Sequence, residues 1–388
     1  MPEGDHSASD AWIAAPRPGW EQRLREKRPF LSIVTPSLNQ ARYLEQTINS
    51  VLSQGYDRLE YIILDGGSTD GSAEIIRRYS DRLAYWVSEP DRGQVDAINR
   101  GIQRSSGDIV AYINADDYYM PGAFAAAIDG FAAQPSAGFV YGSAVAIDEQ
   151  EREIVKMPAR DFDLDAFVFG AMYVAQAAAF MSRQALFEVG PFSADLDYVF
   201  DWDMFIRIAR RMPGVSVPAW VAVIRDYATT KTNTGGFDRA EQIRRLVQRH
   251  SGQPFTVGYL HYYMWDLQRA LASLNIPEDA RLHWEVRQLQ IALGQMIAED
   301  QFLHRVGANM PAARLAEREK QLLAQVIERD TEIFRLQRVV SEAVAVRDAE
   351  IRRLQSVLGD TRARAIYCLR SWLASALRRL GLLRSRRP

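Results

Sequence analysis

The sequence predicts an α/β domain, with a mixed but mainly parallel sheet and helices on both faces. An all-α extension containing a coiled coil follows. Three observations carry this expectation. Strand-like and helix-like segments alternate four times in about ninety residues, and such alternation calls for parallel strands joined by crossover helices. Each strand-like run ends in a polar loop, which gathers Asp65, Asp91, Asp116 and Asp117 at one sheet edge. Open α/β sheets bind ligands at that edge. After Gly236 the pattern is helical throughout.

The elements follow in order. Residues 1–29 are rich in Pro, Gly, Ser and charge and are expected to form a disordered arm. The α/β domain spans 30–235. Its first strand is 30–35 (FLSIVT), and Pro36 to Gln40 turn the chain into a helix with Leu44, Ile48, Val51 and Leu52 on one face. A second strand, 59–64 (LEYIIL), ends at Asp65, and Asp70 or Ser72 suits the cap of the next helix. A third strand, 83–88, leads to Glu89-Pro90-Asp91-Arg92-Gly93. Val95, Ile98 and Ile102 space the helix after it.

The fourth strand, 108–113, stops at Asn114-Ala115-Asp116-Asp117, and Pro121 suits the first residue of a helix. Two adjacent carboxylates repel each other unless positive charge lies beside them. A hard divalent cation, sharing its shell with substrate phosphates, is one solution; a cap and a turn are the other. Strands are expected at 139–147, 154–157, 177–181 and 215–224, with helices at 184–189 and 201–210. Gly235-Gly236 marks a boundary. No glycine-rich dinucleotide or P-loop signature follows any of the strands.

The bulk numbers exclude several classes. A net charge of −2 does not suggest nucleic-acid binding. The single cysteine, Cys368, rules out an internal disulfide framework and fits a reducing compartment. With no signal-peptide pattern and no apolar run of membrane-spanning length, a cytoplasmic location is expected. A helical extension covers 236–310. At 311–358 a heptad register places Val326, Ile333, Val340 and Leu354 at a, and Leu315, Leu322, Leu336, Ala343 and Val357 at d. This predicts a coiled coil and a homo-oligomer. The tail, 359–388, has eight Arg and no Asp or Glu from Arg362 onward, with Trp372 on an apolar stripe. It predicts an amphipathic helix lying on an anionic membrane surface, at the inner face of the plasma membrane; packing into the coiled coil, or an RNA-binding or disordered tail, are the alternatives.

The pieces Val34-Thr35-Pro36-Ser37-Leu38-Asn39, Leu64-Asp65-Gly66-Gly67-Ser68-Thr69-Asp70-Gly71-Ser72, Glu89-Pro90-Asp91-Arg92-Gly93, Asn99-Arg100-Gly101, Asn114-Ala115-Asp116-Asp117 and Phe200-Asp201-Trp202-Asp203, in this order and spacing, resemble the family 2 glycosyltransferases. These are inverting enzymes of the Rossmann-like GT-A fold, and the likeness is to bacterial polysaccharide-biosynthesis members. It implies a nucleotide-diphospho-sugar donor, a UDP-sugar first of all, a glycan or lipid-linked acceptor, and Mn²⁺ or Mg²⁺. It implies that Thr35 and Pro36 line the nucleotide pocket and that Asp65 accepts from the base. Asp91, Gly93 and Asn99 would shape the pocket near ribose and sugar. Asp116 would contact ribose or metal, and Asp117 would hold the metal. Asp201 would be the general base, although it also suits a helix N-cap. Asp203 lies four residues before Arg207 and suits a surface pair with it. Family members often carry a His where this chain reads Arg225-Asp226-Tyr227, so Arg225 or Lys231 would neutralise the diphosphate instead. Two other readings compete. A nucleotidyltransferase would need a glycine-rich basic loop after the first strand, which 35–39 lacks. The other is a coiled-coil scaffold with a degenerate transferase domain.

Overall fold

In the computed structural model the described residues are 12–170 and 172–252, with Tyr259, Tyr262 and Arg338. The chain divides into two compact units, Met1–Thr234 and Gly235–Pro388. Residues 12–29 correct the expectation of a disordered arm. They contain helix α1 (Trp20–Arg25), and Ile13 and Leu24 are buried. Trp20 sits edge-on to Phe131 at 5.7 Å, and the Trp12 indole N–H donates to the Leu186 carbonyl at 2.8 Å. Arg23 donates from Nε and Nη2 to the two oxygens of Asp108, at 2.8 and 2.6 Å. Composition alone could not show that this arginine meets a buried carboxylate 85 residues on.

The parallel half of the sheet is β1 (Leu31–Ser37), α2 (Ala41–Leu52), β2 (Leu59–Asp65), α3 (Ser72–Arg78), β3 (Tyr85–Ser88), α4 (Gln94–Arg104) and β4 (Ile109–Tyr112). Its strands pair in the order β3-β2-β1-β4, with Ile33 opposite both Tyr61 and Ala111. Strands covered on both faces read as continuous apolar runs, and every residue of β1 and β4 is buried. Leu44, Ile48 and Val51 of α2, and Val95, Ile98 and Ile102 of α4, are buried at helical spacing. Gly101 lets α4 lie close on the sheet, since a Cβ there would stand 2.4 Å from Val34 Cγ1.

The second half turns mixed. It runs β5 (Tyr118–Tyr119), α5 (Ala123–Ala133), β6 (Phe139–Ile147), β7 (Glu153–Met157), β8 (Ala179–Ser182), α6 (Arg183–Val189), α7 (Phe200–Ala209), β9 (Gly214–Arg225) and α8 (Lys231–Thr234). The sheet continues β4-β8-β6-β9-β5, antiparallel except for β6 with β9, and β7 pairs with β6. Pro121 does not start α5. Gly122, at φ 84°, precedes the helix, and Pro121 stands in the turn before it. The two-residue strand β5 is too short to show in sequence periodicity. It matters because it ties the chain just after Asp117 to Val223 and Ala222 of β9.

In the second unit, α9 (Gly236–Ser251) buries Ala240, Ile243, Leu246 and Val247. The rest of the expected helical extension apart from Tyr259 and Tyr262, the coiled coil apart from Arg338, and the basic tail lie outside the described residues. Among the described residues no helix is long and apolar enough to cross a membrane.

Candidate active site

The site is built on the turn after β4. The Asp117 N–H donates to the Asn114 carbonyl at 3.1 Å, closing the turn. From α2, the Thr47 hydroxyl holds the Ala115 and Asp117 carbonyls at 2.9 and 2.7 Å. Asp117 is buried. Its Oδ1 accepts the Arg225 backbone N–H at 3.0 Å, and its Oδ2 accepts the Asn114 amide at 3.2 Å. Asp116 is half-buried, and its Oδ2 accepts the Tyr227 hydroxyl at 2.8 Å. Burial raises the Asp116 carboxyl; burial and then the charge of Asp116 push Asp117 well above the usual carboxylate range.

The pair is therefore short of positive charge, which suits a hard divalent cation bound by one or two carboxylates and completed by substrate phosphates. Among the described residues no three His, Cys, Asp or Glu side chains cluster as a metal cage. The donor set for such an ion would be these two carboxylates.

Arg225, expected at the diphosphate, does something else. Its side chain is buried. Nη1 donates to the Asp116 carbonyl, and Nη2 to Gln46 Oε1, both at 2.5 Å. Tyr43 and Tyr118 stack on the guanidinium at 4.5 and 5.1 Å. Its terminal nitrogens are spent on protein oxygens, so it braces the carboxylate turn from behind. Tyr227 also differs from expectation. It is a poor metal ligand by type, yet its hydroxyl occupies one oxygen of Asp116.

Asp201 is the second residue of α7, and the N-cap position belongs to Val199. The capping alternative therefore fails. Asp201 Oδ1 instead accepts its neighbour's N–H, Trp202, at 2.8 Å. Burial pushes the carboxyl up to about 6, against the opposing pull of that N–H and of the Lys231 charge. Lys231, the first residue of α8, donates to Asp197 Oδ1 at 2.6 Å and Gln94 Oε1 at 3.1 Å, and stands over the Tyr198 and Phe200 rings. Tyr112, at the end of β4, is raised by burial and then by the charges of Asp201 and Asp117. One ring thus lies within the field of both carboxylates. Asp203 does pair with Arg207, at 2.8 Å, but the pair is not on the surface: Asp203 is fully buried and also accepts the Ser193 hydroxyl at 2.7 Å.

On the β1–β2 side, Asp65 is buried and accepts from Ser68 N at 2.9 Å, Ser68 Oγ at 2.5 Å and Ser88 Oγ at 2.6 Å. Asp70 takes the helix-end duty, accepting from Ser72 N and Ala41 N. Asp91 accepts the Gly93 N–H at 2.8 Å, where Gly93 sits at φ 105°, and a Cβ on Gly66 would meet Asp91 Oδ2 at 2.9 Å. These loops are thus packed on one another. Two expected pocket residues are turned away. The Thr35 hydroxyl is buried and shares a 3.0 Å hydrogen bond with Tyr61 in the core. Asn99 exchanges two hydrogen bonds with the backbone of Phe192, at 3.0 and 2.9 Å. Pro36 is buried within β1, opposite Leu64. Sequence reasoning missed Gln94, Tyr112 and Tyr227 as parts of the site. Their partners lie 20 to 137 residues away, and no spacing signal reaches that far.

A mixed α/β sheet of this order, with paired carboxylates at a strand end, is a GT-A-like fold. Residues 32–190 match the family model "Glycosyl transferase family 2", so this part of the chain is similar to the transferase domain of that family. It is 28% identical over 235 residues to an uncharacterized glycosyltransferase of Mycobacterium tuberculosis H37Rv, covering 58% of this chain and 86% of the relative. It is 29% identical over 184 residues to a PGL/p-HBAD biosynthesis glycosyltransferase of Mycobacterium bovis, covering 46% and 69%. Among solved structures it is similar to a mannosyltransferase from Pyrobaculum calidifontis in complex with GDP-Man and Mn²⁺, at 19% identity and a TM-score of 0.48, covering 83% of this chain and 92% of that one.

Proposed function

We propose that this transferase moves a sugar from a nucleotide-diphospho-sugar, a UDP-sugar first of all, to a hydroxyl of a glycan or lipid-linked acceptor, with inversion. The observation that carries the reading is Asp201: a half-buried carboxyl on α7 pushed up to about 6, whose charge reaches the same tyrosine as that of Asp117. A general base works best with a pKa near the operating pH. Asp201 takes the proton of the acceptor hydroxyl as that oxygen bonds to the anomeric carbon. The bond from that carbon to the diphosphate breaks on the opposite face, and its electron pair leaves with the nucleoside diphosphate. Asp117 and Asp116 would hold Mn²⁺ or Mg²⁺, which would supply Lewis-acid stabilisation of the charge on the leaving diphosphate. Lys231, half-exposed, is the remaining cationic side chain suited to that charge. Asp65 reads the base, and the Asp91–Gly93 turn shapes the ribose side. The same reading assigns oligomerisation to the coiled coil and an anionic membrane surface to the basic tail.

The test is binding and hydrolysis of UDP-, GDP-, dTDP- and CMP-sugars with Mn²⁺, Mg²⁺ or EDTA. One donor should bind only with metal. Asp117→Asn should abolish that binding, and Asp201→Asn should bind without turnover. A folded, metal-loaded protein that binds no donor overturns the reading.

A further inference from the structure

Asn114 stands where a third carboxylate would complete an acidic cluster with Asp116 and Asp117. The structure supplies a reason for the amide. Lys231 Nζ donates to Gln94 Oε1 at 3.1 Å, Gln94 Nε2 donates to Asn114 Oδ1 at 2.7 Å, and Asn114 Nδ2 donates to Asp117 Oδ2 at 3.2 Å. The two ends leave no freedom of direction, because an ammonium only donates and a carboxylate only accepts. Each middle member must accept on one side and donate on the other. Among side chains of this reach, the primary amides of Asn and Gln meet that demand. Aspartate at 114 would offer Asp117 no donor and would add a third negative charge. Glutamate at 94 would offer Asn114 none and would draw Lys231 onto itself.

The four groups come from three elements: α8, the first turn of α4, and the turn after β4, which supplies both Asn114 and the buried Asp117. Gly93, the residue before Gln94, takes φ 105° as α4 begins. The other oxygen of Asp117 is fixed by the Arg225 N–H, so the relay is what sets the second.

We infer that Gln94 and Asn114 are positioning residues, a one-way amide relay that orients Asp117 for its cation and ties that carboxylate to Lys231 on the Asp201 side. Aligned hydrogen bonds polarise one another, and groups that orient a metal-bound carboxylate typically change metal affinity 10- to 100-fold when removed. The inference rests on the proposed role of Asp117.

The test is Mn²⁺ titration of the full chain, followed by the electron paramagnetic resonance of free Mn²⁺, alone and with UDP or GDP. Asn114→Leu and Gln94→Leu should each weaken Mn²⁺ binding about tenfold, with melting curves showing that both variants fold. The double variant should be no worse than Asn114→Leu alone, because members of one series relay are lost together; independent roles would multiply to about a hundredfold. Gln94→Glu, which keeps the shape but removes the donor, should behave as Gln94→Leu does. Wild-type binding that both single variants leave unchanged, or losses that multiply in the double, overturns the relay alone. A wild type that binds no Mn²⁺ under any of these conditions overturns the reading of Asp117 and the relay with it.

Discussion

The two edges of the sheet carry the same residue type to opposite ends. At the edge where β4 starts, buried Asp108 meets Nε and Nη2 of Arg23 and the Phe30 N–H, at 2.6 to 2.9 Å. Nearby, Glu60 takes the hydroxyls of Ser32 and Ser106 and the Ser106 N–H. At the edge where β4 ends, Asp116, Asp117 and Asp201 accept only a phenol, an amide and backbone N–H groups. None of the three forms an ion pair with a described residue. Arg225 approaches this edge, yet spends its charge on a carbonyl of the turn, on Gln46 and on Glu151. Burial is comparable at the two edges. What differs is whether the protein provides the countercharge. Where it does, the carboxylate staples the fold; where it does not, the carboxyl is driven upward and the deficit is available to a cation or a proton.

The largest expected effect separates the edges directly. Asp201→Asn should lower turnover about 10²- to 10⁴-fold, the range for loss of a general base, without lowering the melting temperature. A carboxyl raised to about 6 is ionised at pH 7 at a cost to folding, and the amide removes that cost. Parallel kcat and melting measurements decide it, and a fall in both would make Asp201 structural. Next, Asp108→Asn should cost about 3 kcal/mol of stability. Breaking a buried pair costs about 3–5 kcal/mol, and Arg23, 16% exposed, can partly rehydrate. Activity per folded molecule should hold, as denaturant titration beside a low-temperature assay would reveal.

The smallest effect is on pH dependence. As the proposed base, Asp201 would have to be ionised to act, so turnover should rise as pH passes about 6. Lys231 holds that carboxyl down, so Lys231→Met should move the acid limb upward. The same raised carboxyl makes the folded state bind more protons than the unfolded chain, so its contribution to stability is present at low pH and declines as pH climbs from 3.8 to about 6. A pH–rate profile unmoved by Lys231→Met would separate the lysine from the base.

Short apolar runs bounded by Gly, Pro and Asp are local features. The parallel half of the sheet was therefore readable residue by residue, along with the placement of Asp65, Asp91, Asp116 and Asp117 after its strands. The buried face of α7 was readable for the same reason, since Trp202, Phe205 and Ile206 recur at the helical period. Thr35 and Asn99 show the limit. Their positions were readable, but the direction of a side chain at a strand end or on a helix depends on a partner elsewhere, here Tyr61 and Phe192. Residues 12–29 failed differently, because their anchors, Asp108, Phe131 and Leu186, lie far along the chain.

The linear chain thus specified its strands other than β5, its loops and the carboxylates at their ends, because each depends on neighbours within a few residues. Folding assigned the charges. It sent Arg23 to Asp108 and turned Arg225 behind the carboxylate turn. It set Tyr227 on Asp116 and joined Lys231 to Asp117 through two amides. Those pairings cross up to 137 residues, and a contact at that range exists only once the sheet has brought its strands together.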